Sequence, residues 1–219
     1  MGIKEYLKQI LRELSVRFKS FFSFPYYPYI KPSSRVGACN HISNRHNLIM
    51  GEKASIKTDS VIMNSRARYI IKDNSGSAEE LMVITGNHLS VVGLSVRQVT
   101  NAVKDKYDIH HEMDKDVVVD EDVWIGARVA LLSGVHVGRG CEIGTGSVLR
   151  SSTPPYSIVV GNPAKVVGFR FTPEEIIEHE KILYPEEERL PLELLQKNYE
   201  KYFLSRIKEI RRFLSVTCY

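Results

Sequence analysis

Between Val119 and Thr153 the chain repeats one rule every six residues: an aliphatic first, often Gly or Asp second, and a small residue fifth. The first positions are Val119, Ile125, Leu131, Val137, Ile143 and Leu149; the fifth positions are Val123, Val129, Val135, Cys141, Ser147 and Thr153. A six-residue period fits neither an amphipathic helix nor an alternating strand, so each hexad reads as one flat side of a coil. Three sides make one triangular turn of a parallel β-helix. The aliphatic fills the prism interior, and the small fifth residue fits where the walls converge. Gly126, Gly138 and Gly144 hold the second position, where the reading puts the bend and where a side chain costs packing or backbone strain.

Upstream the pattern is worn. Met50, Ile56 and Ile62 keep the six-residue step, with Gly51 second and Ala54 and Ser60 fifth. These are the expected first coils, irregular because the end of a solenoid has a neighbour on one side only. Residues 72–80 form a polar turn and Leu81–Thr85 returns to strand-like sequence. Residues 89–116 break the period, which marks a loop excursion, and such loops on a regular scaffold carry function more often than not. The expected organisation is therefore an N-terminal helix and aromatic linker (1–34), a β-helix domain (35–171) containing the excursion, and a helical tail (172–219).

Residues 3–22 space Ile3, Leu7, Ile10, Leu11, Leu14 and Phe18 as an amphipathic helix opposed by Lys4, Lys8, Arg12 and Lys19. It either packs on the coil or a neighbouring subunit, or makes peripheral contact with a membrane. In the tail, Thr172-Pro173-Glu174-Glu175 reads as an N-cap with Pro at the first helical position. Pro185 and Pro191 divide the remainder of the tail, and one last helix is expected to carry an apolar stripe from Leu194 to Phe213.

Composition narrows the function. At 219 residues with 43% hydrophobic and 26% charged residues, this is an ordinary globular enzyme-sized chain. Its +4 charge is mild and interspersed, which argues against nucleic acid and suits a small phosphate-bearing ligand. Cys39, Cys141 and Cys218 are widely spaced, so neither a disulfide framework nor a zinc site is expected, and a reducing cytoplasm is the default. The N-terminal segment reads as neither signal peptide nor membrane span.

The run VWIG, then S-G-V-x-V-G, I-G-x-G-S-V and P-P-Y-S-I-V-V-G-N-P-A-K-V-V resembles the signature stretch of the hexapeptide-repeat acyltransferases, closely over residues 117–168 and in outline upstream. The resemblance implies a left-handed parallel β-helix, acetyl-CoA as co-substrate, no metal, and a homotrimer. It also implies catalysis by one histidine on a coil just before an excursion. Thr85-Gly86-Asn87-His88 stands there, making His88 the candidate general base. A thioester is already activated, and what remains is taking a proton from the attacking hydroxyl, for which a neutral imidazole is suited. Direct transfer is expected, since no G-x-S-x-G elbow is present and no cysteine has an evident histidine partner. His110 and His111 are the main competitors; being adjacent, at most one can enter a shared site.

For acetyl-CoA the resemblance maps onto Trp124, Ala127, Ser133, Gly134, Thr145, Arg150, Ser151 and Lys165. Arg150-Ser151 replaces the family's Thr-Lys pair, with Lys165 and Arg170 as further cations. Relatives follow the histidine with Pro or Arg-Met-Asp, but Leu89-Ser90 stand here, with no carboxylate before Asp105. Asn87 is a candidate for orienting the imidazole or touching the acceptor, and Asn64, Asp73 and Asn74 are acceptor candidates, although such a cluster in a loop is more often turn chemistry alone. O-acetylation of a sugar or polysaccharide precursor is the leading expectation. Xenobiotic O-acetylation of the streptogramin or chloramphenicol type, sugar N-acetylation and a non-catalytic β-helix scaffold are the alternatives, and a zinc-dependent hydrolase on the same coil ranks last.

Overall fold

A computed structural model describes residues 27–216. The amphipathic helix read over residues 3–22 lies outside them. Three short strands make each turn. The first turn is β1 (Arg35–Val36), β2 (His41–Ile42) and β3 (Leu48–Met50); the second is β4 (Ser55–Ile56), β5 (Val61–Met63) and β6 (Tyr69–Ile71). The third is β7 (Gly76–Ser77), β8 (Met82–Ile84) and β9 (Val117–Val119), with helix α1 (Asn101–Tyr107) inside the excursion. The fourth is β10 (Trp124–Ile125), β11 (Ala130–Leu131) and β12 (His136–Val137), and β13 (Glu142–Ile143) and β14 (Val148–Leu149) start the fifth. β15 (Ser157–Val160) comes next, and β16 (Lys165–Phe169) turns back antiparallel on it.

Like sides stack as three parallel sheets: β1-β4-β7-β10-β13-β15, β2-β5-β8-β11-β14 and β3-β6-β9-β12. The register keeps interior residues in columns, such as Ile62, Val83, Leu131 and Leu149 on the second side and Met50, Ile71, Val119 and Val137 on the third. All of these are at most 1% exposed, so the hexad rule is a rule of burial. Full burial of each such side chain is worth about 1.5–3 kcal/mol.

The bend sits elsewhere than the sequence reading put it. Positive φ recurs at the fourth hexad position, at Asp122, Arg128, Gly134, Gly140 and Gly146, not at the second. The second-position glycines answer a different demand, the approach of the next turn: a Cβ on Gly126 would lie 2.7 Å from the Thr145 amide nitrogen and 2.9 Å from the Ile143 carbonyl oxygen.

The worn upstream periodicity has a geometric cause. Val119 pairs with Val137, three hexads on, whereas Met50 pairs with Ile71 and Ile62 with Val83, three residues further. The extra length falls at one corner, between the second and third sides. A 3-10 turn, Arg45–Asn47, occupies it in the first turn, residues 64–68 in the second, and the whole excursion in the third.

The tail docks on the coil. Helix α2 (Pro173–Leu183) begins with the expected capping box, in which Thr172 and Glu175 satisfy each other's backbone amides. Its Glu180 is fully buried and accepts from the Tyr156 hydroxyl at 3.0 Å and from Arg139 at 3.3 Å. The single last helix expected from the apolar stripe is in fact two, α3 (Leu192–Tyr202) and α4 (Ile207–Val216), separated at Phe203 and a 3-10 turn. The break lets Leu195 and Tyr199 pack toward Tyr156 and Phe169 while α4 folds back to set Phe213 beside Gly161 and Lys165. No described helix is long and apolar enough to cross a membrane.

Candidate active site

The expanded corner encloses a cavity of about 210 Å³ whose lining includes Met63, Ile84, His88, Val99, Lys104 and Asp114. His88 stands exposed at its edge, where β8 gives way to the excursion. The backbone leading to it is held from three directions. Thr85 is buried, and its hydroxyl donates to the carbonyls of Met63 and Ala67 at 3.2 Å. The Thr85 carbonyl accepts from the Lys115 amide at 2.9 Å and the Ser133 hydroxyl at 3.0 Å. The Asn87 amide donates to the Met113 carbonyl at 2.7 Å, and Gly86 bridges Asp114 antiparallel.

Helix α1 forms the cavity's outer wall. Thr100 caps it through the Val103 amide, and Lys104 on its inner face is 8% exposed. The Lys104 ammonium donates to the Asn87 carbonyl at 2.8 Å and to Asp114 Oδ1 at 2.6 Å, and Arg66 Nε holds Asp114 Oδ2 at 2.9 Å. Arg66 also reaches Asp105 of α1. Sequence reasoning missed Lys104, Asp114 and Arg66, since they carry no hexad phase and no fixed spacing from His88. Asp114, returning from the far end of the excursion, is bound to Lys104 and Arg66.

The expected acetyl-CoA residues divide into groups. Val83, Leu131 and Leu149 are in register, so two residues on, Thr85, Ser133 and Ser151 climb one corner. Ser133, Gly134, Arg150 and Ser151 thus share the corner of His88, and Arg150 is exposed with no ion pair among the described residues. Ala127 and Thr145 stack at the opposite end of the same side, where the Gly146 amide donates to the Ala127 carbonyl. Between the two corners runs an apolar strip of Met82, Ala130 and Val148. Trp124, 53% exposed, faces out from the first side beside Ser55 and Arg170.

Lys165 is not free for a phosphate. It donates to Glu209 of α4 at 3.2 Å, and hydrogen bonds from Arg206 first and Lys165 second hold that carboxyl down at about 2. Arg170 is likewise engaged, by Asp122, the Gly140 carbonyl and Glu142. Asn64 is a correction: it is fully buried, and its side-chain amide is spent on the Asn44 backbone in both directions at 3.0 and 2.9 Å, leaving no face for an acceptor. Asp73 caps the Glu52 amide and Asn74 has positive φ, so both shape a turn that lines a different groove with Tyr29 and Tyr184. Of the competing histidines, His111 lines the outer side of the Arg66–Asp114 pair and His110 is exposed on the same bend. His136 pairs with Asp120 at 2.7 Å. Among the described residues no group of three or more His, Cys, Asp or Glu is arranged to hold a metal ion.

A family profile described as bacterial transferase hexapeptide, six repeats, matches residues 116–151. Over that stretch the chain is similar to the hexapeptide-repeat bacterial transferases. A chloramphenicol acetyltransferase of Klebsiella aerogenes is 44% identical over 61 residues, 28% of this chain and 29% of the relative, so the match spans less than a third of that protein's length. Among solved structures, a maltose O-acetyltransferase from Clostridium difficile 630 superposes with a TM-score of 0.56 at 20% identity, covering 72% of this chain and 83% of that one. A hexapeptide-repeat acetyltransferase of Vibrio cholerae, complexed with acetyl coenzyme A, gives 0.55 at 21% identity over 74% and 87%. At these identities the superpositions speak to the fold, a β-helix of three parallel sheets followed by helices.

Proposed function

We propose that this protein transfers the acetyl group of acetyl-CoA directly to a hydroxyl of a small acceptor, a sugar or polysaccharide precursor, with His88 as general base. The observation that carries the proposal is the placement of His88: an exposed imidazole on a rigidly held backbone, at the edge of a cavity that one helix of the excursion walls off. Acetyl-CoA supplies an acyl carbon already activated as a thioester. His88 takes the proton of the acceptor hydroxyl as its oxygen bonds to that carbon, and returns it to the departing sulfur as the carbon–sulfur bond breaks. The cavity's mixed lining, Met63 and Val99 with Ser65, Thr100 and Asn101, suits the apolar and hydroxyl faces of a saccharide.

The residues present fit the cofactor in part. The apolar strip of Ala130 and Val148 and the corner of Ser133, Gly134 and Ser151 offer a flat path for pantetheine, and Arg150, without an ion pair among the described residues, offers a cation for phosphate. Lys165 joins only by leaving Glu209. Ala127, Thr145 and Trp124 lie away from His88 on one chain, which favours a groove completed by a second subunit of a homotrimer. Val92, Val96 and Ile109 support this, because they stand exposed on the excursion at 104%, 72% and 68%. The same reading makes the coil left-handed and the protein cytoplasmic.

Xenobiotic O-acetylation is the second reading, favoured by the 44% identity over 61 residues to the chloramphenicol enzyme. The test is coenzyme A release, followed with a thiol reagent, from purified protein given acetyl-CoA and a panel of saccharides, chloramphenicol and a streptogramin. Release with saccharides that vanishes in His88→Ala supports the first reading. Release with the drugs alone selects the second, and equal release from His88→Ala moves the base elsewhere.

A further inference from the structure

No side chain among the described residues hydrogen-bonds the His88 imidazole, so its aim depends on its backbone. One buried cation grips that backbone. Lys104 donates to the Asn87 carbonyl at 2.8 Å, and that carbonyl belongs to the same planar peptide as the His88 amide, so fixing one sets the plane of the other. A buried ammonium is costly unless paired, and Asp114 pairs it at 2.6 Å. Asp114 in turn is placed by Arg66 and by the lack of a side chain at Gly86, whose Cβ would lie 2.5 Å from Asp114 Oδ1. As a mere fastener for α1 this ammonium is superfluous, because Arg66 already ties the helix through Asp105 and the bend through Asp114.

We infer that Lys104 is a positioning residue for the transfer: its ammonium, steadied by Asp114, holds the Asn87–His88 peptide so that the imidazole meets the acceptor hydroxyl in the cavity. The inference rests on His88 being the base. It adds a cation from the excursion helix to the site.

The test is Lys104→Ala, assayed with acetyl-CoA and the acceptor that wild-type protein turns over, with thermal unfolding measured alongside. Misaiming by about 1 Å costs on the order of 10²-fold in rate, so kcat falls by that order while KM for acetyl-CoA and Tm stay near wild type. Lys104 lines the cavity, so propylammonium can enter the space left by its side chain and restore part of kcat. Tetramethylammonium, with equal charge and no N–H donor, restores none. Asp105→Asn is the comparison, since it loosens α1 and leaves the Lys104 contacts in place. Activity that follows Tm identically in both variants, with no rescue by the amine, overturns the inference. Should Lys104→Ala not fold, Lys104→Arg replaces it: the guanidinium keeps Asp114 paired in a different donor geometry. Reduced kcat at unchanged Tm then supports positioning, and wild-type kcat refutes it. Wild-type protein that releases no coenzyme A with any acceptor, or an active His88→Ala, removes the transferase reading and this inference together. A normal Lys104→Ala beside an inactive His88→Ala removes the inference alone.

Discussion

The regular coils and the corner that carries His88 share one scaffold and are held by opposite means. In the coils, Leu131 and its neighbours are stacked by register and burial, each turn supplying the next with the same shape. At the corner, register lapses and charged side chains take over: Arg66, Lys104 and Asp114 join segments far apart in sequence around a cavity. Periodic burial yields a rod with a filled interior. Where the period breaks, the polar groups so exposed must find partners of their own.

The sharpest break of this comparison is His88→Ala, which changes the corner and leaves the coils alone. On the proposed mechanism, the loss of general-base catalysis lowers turnover by about 10²–10⁴-fold. The thermal midpoint is expected to stay at the wild-type value, and a large drop in it would mean the corner supports the rod.

Leu131→Ala is the converse. It empties a fully buried position between Val83 and Leu149, and removal of such a side chain costs about 2–5 kcal/mol. Denaturant unfolding reads the loss; a cost below that range would show that neighbouring turns collapse into the space.

Two glycines sharpen the contrast further. Gly126→Ala forces a methyl against the backbone of the next turn, an overpacking worth about 1–3 kcal/mol of stability. Gly86→Ala meets only the Asp114 carboxylate, which can shift, so turnover should suffer more than stability. If both variants lose stability equally, the corner is as rigid as the coil.

The smallest effect concerns pH. Burial pushes the Asp108 carboxyl up, but the amides of Met113 and Glu112 outweigh it, and the net pKa lies below the ordinary aspartate value. A depressed folded-state pKa contributes stability above the unfolded value of about 3.9, and the contribution is lost as pH falls through the folded value. Hydrogen exchange below about pH 4 should therefore quicken at Glu112 and Met113 before it does at Val137 or Ile143. Simultaneous loss of protection would show that the excursion and coils open as one unit.

How far the sequence could be read obeys the same division. The six aliphatic positions from Val119 to Leu149 named both the coil and its interior, because each contact in a solenoid repeats at a fixed spacing. The capping box at Thr172 was legible for the same local reason. His88 became the candidate base through the family resemblance, which points to a histidine just before an excursion, and it stands at the edge of the corner cavity. Asn64 was misread as an acceptor contact because its internal bonds to Asn44 cross between turns. The break at Phe203 escaped because an apolar stripe fixes which face is covered and not where the chain must turn to cover it.

Sequence alone determined the prism, its phase and the position of the interruption, since these depend on burial repeated at short range. Tertiary structure alone decided that Lys104 and Asp114 meet at the Asn87 carbonyl, and that Lys165 is held by Glu209. The physical reason is that a hydrogen bond between irregular segments depends on where the chain returns in space, and no period along the sequence encodes that return.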